Sequence, residues 1–337
     1  MAGTAHPDGG AAAGGGTGTD SGMDLHPMLA TASDRREFDE GWVLERKLDG
    51  IRAVAERDGD RVRLWSRTGK PLTDGYPELV TALAAQPVPR FTVDGEIVAL
   101  DGEVTSFALL QRRMGLHDPV RALASGVTVT YFLFDVLALM GHETTGLPLT
   151  DRKQLLRESL AFEGPLRYTE HRAAAGPAPL AEACAAGWEG LIAKRAASRY
   201  VSRRSPDWLK LKCEAGQELV VGGFTEPGGA RTGFGALLLG YHEGGLLRYA
   251  GKVGTGFDTR TLTALRGVLD GLLRADSPFG EPVPVRAAHW VEPRLVAQVA
   301  FTEWTRDGRL RAPRFLGLRP DRPAAEVVRE RPLPPQG

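Results

Sequence analysis

The chain has 337 residues, 42% hydrophobic and 25% charged, with Lys plus Arg equal to Asp plus Glu at 42 each. That composition supports a globular core and, at this length, about two domains, while zero net charge means that any surface for a polyanion must be local. The longest apolar stretch, Val127 to Met140, is too short to span a bilayer and contains Asp135, which excludes a membrane-spanning chain of this kind.

Residues 1–22 hold eight Gly, five Ala and no Lys or Arg, so a disordered tail is expected there, and the basic start and apolar stretch of a signal peptide are both missing. From Trp42 the pattern turns to strands: Trp42–Glu45, Arg61–Trp65 and Phe91–Asp94 are short and alternating, with turn residues such as Asp58-Gly59 between them. Pro77–Ala85 and Asp151–Ser159 read as amphipathic helices, and Val127–Leu139 as a buried strand. A helix at Leu180–Ala186 and a strand at Gly190–Lys194 follow. Strands and helices without strict alternation predict an α+β fold with antiparallel sheets. A second unit begins near Glu218: strands at Leu219–Phe224, Ala236–Tyr241 and Leu246–Tyr249 are broken by Gly-rich turns, then come a helix at Thr259–Leu273 and a strand at Leu295–Phe301. Short curled strands with one helix suit a small barrel such as an OB-fold. No internal repeat is evident. Cys184 and Cys213 are too few for a disulfide framework or a cysteine zinc site, and free thiols in a reducing cytoplasm are expected.

The lysines carry a further signal. There are seven, Lys47, Lys70, Lys153, Lys194, Lys210, Lys212 and Lys252, so Arg supplies 35 of the 42 basic residues. Arg fills most sites where any cation would do; a remaining Lys is a candidate for a task that needs a group able to lose its proton. In Glu45-Arg-Lys47-Leu-Asp49-Gly50-Ile-Arg52 a lysine leaves a strand beside a tight turn, which suits an activated amine nucleophile, although a solvated Asp-Gly turn has the same look. Ser66-Arg-Thr-Gly69, Asp94-Gly-Glu96, Leu133-Phe-Asp135, Glu189-Gly-Leu-Ile-Ala-Lys194 and Trp208-Leu-Lys-Leu-Lys212 follow in order. Each is weak alone, since charged strand faces and core phenylalanines are common; the ordered set is not.

This ordered set resembles the covalent nucleotidyltransferases, which include ATP-dependent DNA ligases, RNA ligases and mRNA capping enzymes. KLDGIR at 47–52, SRTG at 66–69, DGE at 94–96, LFD at 133–135, EGLIAK at 189–194 and WLKLK at 208–212 are similar to that family's motifs I, Ia, III, IIIa, IV and V. RRSPDWLKLK at 203–212, FGALLLGY at 234–241, YAGKVGTGF at 249–257 and FTEWTRDGRLRAPRFLGLRPDR at 301–322 narrow the likeness to the ligase module of bacterial end-joining DNA ligases, over roughly residues 24–325. The resemblance implies a nucleotidyltransferase (adenylation) domain at 23–214 and an OB-fold domain at 218–325, between the tail at 1–22 and a C-terminal tail at 326–337.

By the same resemblance Lys47 attacks the α-phosphate of ATP, giving a lysyl–AMP and releasing pyrophosphate. Lys210 and Lys212, two apart on a strand and so on one face, would hold the phosphate and help lower the pKa of Lys47. Glu45 stands where the family reads the adenine edge, Phe134 would stack on the base, and Lys194 belongs to the nucleotide site. Arg52 and Arg67 would bind ribose or phosphate, including the 5′-phosphate of a nick. Glu96 and Glu189 are the metal-associated carboxylates for Mg2+ or Mn2+, with Glu96 also placed near the ribose. Arg319, Asp321 and Arg322 match motif VI, usually Arg-x-Asp-Lys; Arg322 departs from it, yet orienting a leaving pyrophosphate needs a permanent cation, which Arg supplies.

DNA contact is expected from Arg67, Arg203, Arg204 and Lys252, within basic clusters at 194–212 (seven cations, one acid) and 306–322 (six Arg, two Asp). The expected protein is a stand-alone, monomeric ATP-dependent DNA ligase of the bacterial cytoplasm, without a membrane. It would seal nicks or breaks in double-stranded DNA through lysyl–AMP and adenylylated DNA, with the Ku end-binding protein as a partner. The rival readings are RNA ligation or capping on the same scaffold, a non-catalytic nucleotide- or DNA-binding module, and a metabolic α+β enzyme.

Overall fold

The structure, a computed structural model, describes residues 26–174, 178–229 and 231–331. The expected tail at 1–22 lies outside the described residues. Two sheets build the first half. One has five strands in the order Leu29–Ala32, Arg204–Lys212, Gly190–Arg195, Trp42–Arg46, His171–Ala173, antiparallel except that Leu29–Ala32 runs parallel to Arg204–Lys212. The other orders Arg61–Ser66, Ile51–Asp58, Arg90–Asp101, Val129–Leu139 and His142–Glu143, with Leu166–Tyr168 added in parallel to Val129–Leu139.

Trp42–Arg46 is buried on both faces, and its alternation assigns its side chains to two different cores. Trp42 and Leu44 pack on the back of the five-stranded sheet with Leu191, Leu209 and the helix Ala178–Ala185. Val43 faces the other sheet, in a cluster with Val54, Phe134, Tyr200 and Trp208. Glu45 shares that inner face, so the seam between the two sheets is where charged side chains of this strand must find partners.

The helices on the outer face of the second sheet follow local rules. Pro77–Ala84 begins with Pro in its first turn and buries Leu79 and Leu83, four residues apart. Phe107–Gln111 and Pro119–Ala124 are capped by the side chains of Ser106 and Asp118, which accept from the amides of Leu109 and Arg121. Asp135 breaks the apolar run of Val129–Leu139 because Arg152, on the helix Leu149–Ser159, meets it in a fully buried two-pronged pair at 2.7 and 2.9 Å. Removing either partner alone would cost about 3–5 kcal/mol.

The second half is the OB-fold barrel. Gly216–Thr225 pairs with Val296–Ala300 along its first half and with Ala288–Val291 along its second. With Leu237–Glu243, Leu246–Val253 and Arg314–Leu318 this curls the sheet around one core. The helix Thr259–Asp270, capped by Asp258, closes one side with Leu262, Leu265 and Leu269.

One expectation changes. Cys184 and Cys213 are not free: they form a disulfide, with Cα atoms 5.4 Å apart, because the helix bearing Cys184 packs on the sheet edge where the strand bearing Lys212 ends. The described part of the C-terminal tail, residues 326–331, is packed: the amide of His242 donates to Val327 at 2.7 Å, and Glu330 reaches back to the first domain. Among the described residues no helix is long and apolar enough to cross a membrane.

Candidate active site

A cavity at the seam of the two sheets, closed on one side by the barrel, is lined by Glu45, Lys47, Arg52, Arg67, Glu96, Phe134, Glu189, Lys194, Lys210, Lys212, Arg319, Asp321 and Arg322, so residues from every segment of the ordered set converge there. Tight backbone packing brings them together. The Lys47 amide donates to the Gly190 carbonyl at 3.0 Å, joining the nucleophile turn to Glu189-Gly190. A Cβ on Gly190 would stand 2.0 Å from the Leu211 carbonyl, and one on Gly50 2.2 Å from the Ile97 carbonyl, so both positions demand glycine.

Lys47 is ion-paired to Glu189. Burial pushes its ammonium pKa down, but Glu189, Asp49 and Glu96 outweigh burial and the net shift is upward. Lys210 and Lys212, expected to help lower it, line the same cavity. Those two lysines do share one face, but they bridge a single carboxylate, Glu330, at 2.5 and 3.1 Å. Glu330 is held below its ordinary range: burial acts upward and the two lysines outweigh it.

Arg52 spends its fork on Asp94 at 2.5 and 2.6 Å while its guanidinium lies 4.5 Å from the Phe134 ring centre. Phe134 is also within 4.3 Å of the Lys194 ammonium and stands edge-on to Trp208. Lys194 pairs with Glu45 at 2.6 Å, and burial lowers its pKa to about 8. Arg67 pairs with Glu326 at 2.9 Å.

The barrel delivers Arg319, Asp321 and Arg322. Arg319 is paired to Asp321 at 2.8 Å, donates to the Gly50 carbonyl at 3.2 Å and lies 3.9 Å from Asp49; Arg322 pairs with Glu218 at 2.8 Å. The last strand of the barrel is thus docked on the Lys47 turn.

Glu96 sits opposite Arg52 in register. Burial, only partly offset by Arg52, Arg319 and Lys47, raises its carboxyl to about 8. Such a carboxyl lacks a compensating charge, as a ligand awaiting a cation does. No cluster of three or more His, Cys, Asp or Glu suited to a metal occurs among the described residues. Glu96 and Glu189 both line the cavity, and carboxylate oxygens are the donors that could hold a hard dication there.

Of the 194–212 set, Lys194, Lys210 and Lys212 line the cavity, while Arg195, Arg199, Arg203 and Arg204 are all exposed, Arg195 pairing with Asp207 and Arg204 donating to the Ala30 carbonyl. In the 306–322 set, Arg309, Arg311 and Arg314 pair with Glu281, Glu303 and Glu214. Lys252 is exposed on the barrel. Residues the sequence did not single out are Lys153, buried against Glu45, and Glu218 and Glu330, which hold cations of the site. Lys153 carried a signal, as one of few lysines in an Arg-rich chain; the two glutamates carried none.

A lysine at the seam of two sheets, facing paired lysines and docked by an OB barrel, defines a nucleotidyltransferase. Family models described as "ATP dependent DNA ligase domain" and "ATP dependent DNA ligase C terminal region" match residues 27–212 and 230–322. The chain belongs to the ATP-dependent DNA ligase family. It is 39% identical over 320 residues to the multifunctional non-homologous end joining protein LigD of Pseudomonas aeruginosa, covering 92% of this chain and 37% of that protein. The Mycobacterium tuberculosis LigD is 41% identical over 315 residues, covering 91% and 40%. A solved mycobacterial DNA ligase D, complexed with ATP and MES, superposes with a TM-score of 0.65 at 37% identity, covering 91% of this chain and 98% of that one. The chain therefore spans about two fifths of the length of these curated relatives.

Proposed function

We propose that this chain joins 5′-phosphate and 3′-hydroxyl ends in double-stranded DNA through a lysyl–AMP at Lys47 and an adenylylated DNA end, as a repair ligase for nicks and breaks with Ku as a partner at broken ends. The observation that carries the reading is the convergence of Lys47, Lys210, Lys212 and Arg319 on one cavity, from both domains. One Nζ proton of Lys47 passes to Glu189, its ion-pair partner, the freed amine attacks the α-phosphorus so that the N–P bond forms as the bond to pyrophosphate breaks, and the second ammonium proton goes to solvent. Lys210 and Lys212, once nucleotide displaces Glu330, stabilise the charge on the α-phosphoryl oxygens. Arg319 and Arg322 orient the departing pyrophosphate. A divalent cation held by Glu96 and Glu189 would supply further charge neutralisation at the phosphates. AMP then passes to a 5′-phosphate, and the 3′-hydroxyl expels it.

The barrel side carrying Arg319 lies where DNA must later sit against Lys47, so the domains are read as parting between the first step and the later ones. The test is a mass measurement after mixing with ATP and magnesium, followed by addition of nicked DNA. One AMP added to the parent and none to a folded Lys47→Arg protein is the expected result, because charge survives in that variant and nucleophilicity does not. An adduct on folded Lys47→Arg would remove Lys47 from the role.

A further inference from the structure

Lys153 is among the most deeply buried cations of the molecule and belongs to none of the segments that mark the family. It rises from the helix Leu149–Ser159 with no exposure and meets Glu45 Oε1 at 2.6 Å. Its second bond goes to the Thr169 carbonyl at 3.0 Å, and the ammonium stands 4.8 Å from the Tyr168 ring centre. Two of its three donors are taken within the protein and the ammonium faces the Tyr168 ring with no exposure to solvent. The other oxygen of Glu45 meets Lys194 at 2.6 Å, and Lys194 in turn lies 4.3 Å from the Phe134 ring centre and 4.0 Å from that of Trp208. Glu45, 2% exposed, borders the cavity.

Two cations on one buried carboxylate decide what that carboxylate can do. An ionised carboxylate only accepts hydrogen bonds, with about four lone-pair directions, so two remain after the lysines have taken theirs. A protonated one can donate. At the six position adenine offers an amino donor and guanine an oxo acceptor.

We propose that Lys153 is a specificity-determining positioning residue: with Lys194 it keeps Glu45 an acceptor only, and so sets the preference for ATP over GTP. The proposal rests on the reading that the base of the nucleotide lies against Glu45 and Phe134. Burial alone pushes the Glu45 carboxyl upward; Lys153 first and Lys194 second outweigh it and hold it below its ordinary value. The other groups facing this pair are His171, which lies opposite Glu45 in the sheet, Tyr168 beside Lys153, and Asp135 behind Lys194. His171 is held below its ordinary value by burial first and then by Lys153.

The test reads the AMP and GMP adducts of Lys47 by mass, at equal ATP and GTP, from pH 6 to pH 8.5, in the parent and in Lys153→Met. The adduct ratio cancels any change common to both nucleotides. The expected result is a fall in ATP preference of tenfold or more at pH 6 that recovers toward the parental ratio at pH 8.5. A merely structural role would lower both adducts together and leave the ratio flat, and that outcome overturns the proposal. Glu45→Gln provides a second reading should Lys153→Met not fold: a neutral side chain with both donor and acceptor should lose discrimination at every pH, and a parental ratio in that variant also overturns it. Absence of any AMP adduct on the parent would instead sink the ligase reading.

Discussion

Glu45 and Glu330 each bridge two lysines, at 2.6 and 2.6 Å in one case and 2.5 and 3.1 Å in the other. Glu45 is sealed in the first domain, where all three partners are at most 2% exposed. Glu330 comes from beyond the barrel, and its group remains 15–21% exposed. One bridge is part of the core, with both of its lysines and its carboxylate buried. The other spans the two domains, on the lysines that a phosphate would use. Similar chemistry thus serves permanence in one place and exchange in the other; the difference lies in burial and in which domain supplies the acid.

The comparison can be broken first at the core bridge. Glu45→Ala leaves two ammonium groups without their shared anion, and denaturant unfolding should show a loss of about 3–5 kcal/mol; a loss under about 1 kcal/mol would mean that the core bridge is as dispensable as a surface pair. At the exchangeable interface, Arg319→Ala should slow lysine adenylylation at least about a hundredfold, near 2.7 kcal/mol of barrier, yet still close a nick whose 5′-phosphate already carries AMP. Equal damage to both steps in single-turnover assays would end the idea that the domains part between steps. Arg322→Lys keeps a cation toward Glu218 and should adenylylate within about tenfold of the parent, or 1.4 kcal/mol. The smallest effect is expected for Glu330→Gln. Removing the competitor for Lys210 and Lys212 should lower the KM for ATP severalfold with kcat unchanged, a change of about 0.5–1 kcal/mol. An unchanged or higher KM would show that Glu330 helps to organise the lysines and does not compete with phosphate.

Much of this arrangement was legible in the sequence, and what was not has a physical reason. Trp42–Arg46, Gly190–Arg195 and the helices near 77–84 and 149–159 stand where apolar periodicity put them. The strands Leu29–Ala32 and Ile51–Asp58 escaped that reading because the first owes its place to a distant partner and the second carries charges at its far end. The site segments were visible because cavity chemistry restricts residue type. The disulfide was not: two cysteines say nothing about whether a helix will set them 5.4 Å apart. A linear count also cannot see which acid stands across from a given cation, as Glu189 does from Lys47 and Glu281 from Arg309. Lys153 lay between these cases, flagged by its residue type and given a task only by the helix that buries it.

The five-stranded sheet has a consequence for the order in which the protein comes into being. Trp42–Arg46 pairs with the strands His171–Ala173 and Gly190–Arg195, and Leu29–Ala32 pairs with Arg204–Lys212. Such remote pairings close slowly compared with hairpins like Leu237–Glu243 with Leu246–Val253. On the ribosome, the strand that leads into Lys47 is made early and waits without a ladder until the strand that carries Lys210 and Lys212 has emerged. A partly synthesised chain therefore holds Lys47 with no cavity around it, and the cavity is complete only when the segment carrying Arg319 has been made as well.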